Sequence, residues 1–121
     1  MPSPRKFLEA FDLHKGTVLA PGVIVTRVSI SHQVLQRYRK YAFPMVITVS
    51  SKNRDDTSQF IADLFHAHVG GHRVVNSDFG NPYDCYIDSC SRITRQLALD
   101  GRTVLFELEC TGMGDRVFAK R

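Results

Sequence analysis

The dipeptide Asp100-Gly101 is the tightest constraint in this chain, because it separates two runs that alternate in phase with each other. Asp-Gly suits the two-residue type I′ turn, in which both positions take positive φ. With those two residues as the loop, Leu97 pairs with Val104 and Ile93 with Leu108 on one face. Arg92 then pairs with Glu109 and Thr94 with Glu107 on the other. Apolar meets apolar and base meets acid, so the register agrees with itself. Arg95, opposite Phe106, is the one polar intruder on the inner face. Its aliphatic stem can pack while the guanidinium leaves at the sheet edge.

The remainder of the 121 residues is read outward from that hairpin. This length makes one domain and excludes an enzyme with separate cofactor and substrate lobes, and 43% hydrophobic with 23% charged residues excludes a disordered chain. Phe7, Leu8 and Phe11 have helical spacing, so residues 1–14 are expected to be an N-terminal docking segment on a core of residues 15–121. Thr17 to Ile30 reads as a strand around a Pro21-Gly22 turn, with Val23, Val25 and Arg27 alternating against Ile24, Thr26 and Val28. Ser31 begins a helix whose stripe is Val34, Leu35, Tyr38 and Ala42, stopped at Phe43-Pro44. Met45 to Ser50 reads as a central strand. A second helix follows, with Asp56 and Gln59 as a capping box, Phe60, Ile61, Leu64 and Phe65 as its buried stripe, and Gly70-Gly71 at its end. His72 to Asn76 and Tyr83 to Cys90 read as strands around a polar loop. The expected fold class is therefore α+β: two helices packed on a mixed, largely antiparallel sheet that ends in a long β-hairpin.

The charge is uneven along the chain. Sixteen Lys and Arg against twelve Asp and Glu give a net +4, and nine of the bases but only four of the acids lie in residues 1–60. No acid occurs from Leu13 to Arg54, which predicts a positive face. Three cysteines, an odd number without framework spacing, point to a reduced, intracellular protein, cytoplasmic or nuclear. No apolar stretch is long enough for a membrane span, so no membrane partner is expected.

Motifs that would carry chemistry are incomplete. His66 and His68 point about 200° apart on a helix, and Gly70-Gly71 breaks the relation between His68 and His72. The histidines instead fit a helix C-terminus, where the dipole favours them. Asp84, Asp88 and Cys90 share a strand face by period two, but no partner is placed beside them. No glycine-rich phosphate loop occurs, and no metal or cofactor is expected. What remains is the basic surface. Gln33, Arg37, Lys40 and Tyr41 form one helix face, Lys52 and Arg54 enter the second helix, and Arg92 and Arg102 flank the hairpin. Cations and donors at repeated spacing suit phosphate oxygens, so the expected function is non-catalytic binding of nucleic acid, RNA ahead of DNA. A protein-interaction module using the apolar strand Val18 to Val28 is the alternative. A small hydrolase built on Asp84, Asp88, Cys90 and a histidine comes third.

The order strand (Val23 to Ile30), helix (His32 to Tyr41), strand (Met45 to Ser50), helix (Thr57 to Val69) and closing hairpin (Tyr83 to Leu97, Arg102 to Cys110) resembles the Alba family of small basic nucleic-acid-binding proteins. The resemblance is closest at Asp100-Gly101-Arg102, since Alba proteins also place a Gly-Arg turn between their last two strands. The chain departs from the family at Ser29-Ile30-Ser31, at Ser51 to Asp56, and in the acids of its hairpin arms. The resemblance implies binding of RNA or DNA without catalysis, as a homodimer or as a pair with a related subunit.

Overall fold

A computed structural model describes residues 13–30, 42–69, 71–76, 82–87 and 90–117. Seven strands and one helix occur among them: β1 (Val18–Ala20), β2 (Val23–Ile30), β3 (Ala42–Ser51), α1 (Ser58–Val69), β4 (Gly71–Asn76), β5 (Pro82–Ile87), β6 (Arg92–Leu97) and β7 (Val104–Val117). The strands form one sheet in the order β1-β2-β3-β7-β5-β4, with β6 also on β7. This sheet curls into an open half-barrel, so the expected pair of helices on a mixed sheet is not the architecture. Every strand pairing is antiparallel, and the only parallel contact among the described residues is the isolated bridge between Leu13 and Val75. That bridge joins the segment before β1 to the far edge strand β4, which is possible only because the sheet is curled.

The sheet has a local irregularity in β2. Pairing slips between Val25, opposite Val49, and Arg27, opposite Thr48, leaving a β-bulge at Thr26. A bulge shifts the alternation by one residue, so Val23, Val25, Val28 and Ile30 are all buried. Unbroken alternation had placed Val25 and Val28 on opposite faces. The expected helix of residues 31–41 lies outside the described residues. Ala42, expected on its apolar stripe, instead opens β3, and Pro44 sits beyond the last residue that β2 pairs, where its missing N–H breaks no bond of that ladder.

β7 organises the sheet. One edge of it pairs with β3 from Val104 to Met113. The other pairs first with β6 (104–109) and then with β5 (112–117), so β5 and β6 lie end to end. Inward residues align in rows across the strands, Val25-Val49-Phe106 and Val28-Ile47-Leu108 among them, and all six are buried. Helix α1 fills the concave side with Ile61, Phe65 and Val69, while Leu64 packs partly against the core. Phe60, expected in that stripe, is exposed. The helix also starts one residue late: the Phe60 N–H donates to Thr57 Oγ1 at 3.1 Å, so Thr57 is the N-cap and Asp56 is released for another task. No helix among the described residues is long and apolar enough to cross a membrane.

The hairpin register is the one expected, from Arg92 opposite Glu109 to Leu97 opposite Val104. Its turn differs. Gly101 has φ of 73°, but among the described residues, Asp100 included, none other than glycine has positive φ, so type I′ geometry is excluded. The Gly101 N–H donates to the Ala98 carbonyl at 3.0 Å, and Ala98 and Thr103 close the ladder around a four-residue loop, a length usually built on a type I turn.

Candidate functional site

Three loops meet at the end of the sheet where β3 leaves and β7 begins. The Pro21-Gly22 turn touches the segment after β3 through the Lys52 N–H, which donates to the Gly22 carbonyl at 3.0 Å. That segment is folded by its own polar side chains. Buried Ser51 donates through Oγ to Asp56 and accepts from the Asn53 N–H at 3.1 Å, and Asn53 Nδ2 donates to Asp56 Oδ1 at 3.1 Å. Asn53 Oδ1 in turn accepts from the Asp55 N–H at 3.0 Å, an Asx turn. Asp56, expected as a helix cap, is therefore the anchor of the loop that carries Lys52 and Arg54.

Arginines tie this loop to the hairpin tip. Arg95 donates through Nε to the Asp56 carbonyl at 3.0 Å and through its terminal nitrogen to the Arg54 carbonyl. Arg54 reaches back to the Gly101 carbonyl at 3.4 Å. At the tip, Asp100 accepts from the main-chain N–H groups of Thr103 (2.9 Å) and Arg102 (2.8 Å) and from the Thr103 hydroxyl (2.8 Å). These donors, the Thr103 N–H foremost, hold the Asp100 carboxyl below the ordinary aspartate range. The side chains of Lys52, Arg54 and Arg102 remain exposed on loops whose backbones are fixed.

Of the residues singled out in the sequence, Lys52, Arg54 and Arg102 are thus brought to one end of the molecule. Arg92 is not. It sits at the other end of β6, five residues from Leu97, about 17 Å along an extended strand, and faces Glu109 in register. Gln33, Arg37, Lys40 and Tyr41 lie outside the described residues. Sequence reasoning missed Arg95 as the link between loops; its place opposite Phe106 was visible, but its acceptors are thirty-nine and forty-one residues away. Leu99, at the hairpin tip, is fully exposed beside the cluster.

The other arrangements come out differently. Leu19, Val23, Val25 and Val28 are core residues, so of the apolar strand surface only Val18 is an exposed large side chain. Tyr86 and Met113 instead face each other in register and are both exposed. His66 is exposed in the last turn of α1, His72 lies in β4 opposite Tyr86, and no group of three or more His, Cys, Asp or Glu among the described residues could hold a metal ion. Asp84 is in β5, Asp88 lies outside the described residues, and the Cys90 thiol meets Cys110. No protein-family model matches the chain, and no curated protein or solved structure matches it significantly.

Proposed function

We propose that this chain is a non-catalytic nucleic-acid-binding domain that contacts the phosphate backbone with Lys52, Arg54 and Arg102, RNA ahead of DNA. The observation that carries the reading is the cross-bracing of the two loops by Arg54 and Arg95. It holds three exposed cations at one end of the sheet without using up their charge. Guanidinium and ammonium groups on pre-ordered loops bind phosphate at a smaller entropic cost than the same groups on mobile ones. The outer sheet face is a poorer candidate, since Glu107 and Glu109 are exposed there. The helix-face residues Gln33, Arg37, Lys40 and Tyr41, with Arg92, belong to the proposal on sequence grounds, as do an intracellular setting and pairing with a second copy or a related subunit.

The test is binding of the purified chain to a generic RNA and a generic DNA across a salt series. Binding that falls steeply with salt is expected. Replacing Lys52 and Arg102 together by alanine should weaken it on every sequence and flatten the salt dependence by up to about two units of slope. No binding at low salt, or an unchanged slope in the double variant, overturns the reading.

A further inference from the structure

The Cys90 and Cys110 sulfurs are 3.8 Å apart, and neither cysteine is in a disulfide. They are twenty residues apart in sequence and meet because β5 and β6 lie end to end on β7. Between Ile87, opposite Gly112, and Arg92, opposite Glu109, one side has four residues and the other only two. Cys90 packs half-buried against the core, and Ser91 is anchored next to it by N–H and Oγ bonds to the Glu109 carbonyl at 2.8 and 3.1 Å. Cys110 is 3% exposed, on a residue that β3 pairs from the other side. Cys85, the third thiol, is buried in β5.

We infer that Cys90 and Cys110 form a redox-active dithiol that closes to a disulfide by exchange with a small-molecule disulfide, Cys90 attacking and Cys110 resolving. Accessibility sets the order, since solvent reaches Cys90 and hardly reaches Cys110. The shared hydrogen bond acts the same way. Donation from Cys110 holds the Cys90 thiol below its ordinary value, and the same contact together with burial pushes Cys110 far up. In the first step the Cys90 thiol gives its proton to solvent and its sulfur attacks one sulfur of the small disulfide. One small thiolate leaves, and Cys90 holds the other half as a mixed disulfide. Cys110 then attacks the Cys90 sulfur; its proton passes to the second departing thiolate, and the new bond joins the segment before β6 to β7. Two protein thiols are oxidised and one small disulfide is reduced to two thiols. The sulfurs must close from 3.8 Å to about 2.05 Å, and the Cys90 side is the one to move, because Cys90 lies outside any strand whereas Cys110 is paired with Met45 of β3.

The experiment exposes the reduced full-length chain to excess oxidised glutathione at neutral pH, quenches in acid, and counts thiols by alkylation in denaturant with mass spectrometry. The expected product is about 2 Da lighter than the reduced chain, two hydrogens having been lost. It carries no glutathione, retains one alkylatable thiol at Cys85, and yields a peptide pair cross-linked through Cys90 and Cys110. Cys110→Ser should trap glutathione on Cys90 as a lasting adduct. Cys90→Ser, a near-isosteric change at a partly buried position, should leave Cys110 unmodified over the same exposure. A wild-type chain that keeps three thiols, retains glutathione on Cys90, or cross-links between chains overturns the inference. So does a Cys90→Ser chain whose Cys110 reacts as fast as wild type.

Discussion

Arg95 Nε donates to the main-chain carbonyl of Asp56 at 3.0 Å, so a residue whose register sets it opposite Phe106 on the core face holds a distant loop instead of packing inward. The strand supplies position, and the guanidinium supplies two donors in a fixed fork that reaches two main-chain carbonyls of the loop, those of Arg54 and Asp56. Removing this fork by Arg95→Ala is expected to cost about 1 kcal/mol in urea unfolding, the modest figure suiting an exposed hydrogen bond. Arg95→Lys keeps the charge but not the fork and should recover less than half of that. If the loops must be pre-ordered to bind phosphate, Arg95→Lys also lowers nucleic-acid affinity while leaving the salt slope unchanged.

The orientation of α1 is checked by two phenylalanines five residues apart, about 140° around the helix. Phe65 is fully buried and Phe60 is exposed. Phe65→Ala should destabilise by about 3–5 kcal/mol, the range for emptying an aromatic site in a core. Phe60→Ala should stay within about 0.5 kcal/mol, as surface substitutions do. Equal losses in chemical denaturation would contradict the orientation described.

Gly101 has φ of 73°, and a Cβ built there meets nothing within 4 Å. The cost of a side chain is therefore conformational and not steric. Gly101→Ala should lower stability by about 1–2 kcal/mol, and Gly101→Asn by less, because asparagine tolerates the left-handed region. Thermal unfolding of the two variants side by side separates these effects.

Asp100 gives the hairpin a pH dependence. Its carboxyl is held below the ordinary value of 3.8 by donors that exist only in the folded turn. A depressed folded value contributes stability above the unfolded pKa and loses it as pH falls through the folded one. The melting temperature of wild type should therefore fall toward that of Asp100→Ala as pH drops below about 3.9, and stay above it at neutral pH. Asp100→Asn, which can still accept from the two N–H groups, should lie between them at neutral pH. A gap between wild type and the alanine variant that persists undiminished in acid would contradict this.

Much of the local structure was legible in the sequence. Alternation on both sides of Asp100-Gly101 determined the hairpin register residue by residue, because cross-strand pairs and turn length are short-range matters. Pro21-Gly22 marked the β1–β2 turn, and the Ile61, Leu64 and Phe65 spacing marked α1. The turn type at Asp100 was not legible: the carboxylate prefers to accept from Arg102 and Thr103, which a type I′ turn with Asp100 at positive φ does not require.

Tertiary structure decided the rest. A single extra residue at Thr26 turned Val28 inward, and the pattern alone could not show it, since a bulge depends on the partner strand. The curl that brings Leu13 to Val75, the end-to-end placing of β5 and β6 that brings Cys90 to Cys110, and the meeting of Arg54 with Gly101 all join residues twenty or more positions apart. Periodicity reports which face of an element is apolar. Which elements close on one another is set by the shape of the whole sheet, and both the basic cluster and the thiol pair exist only because that sheet bends.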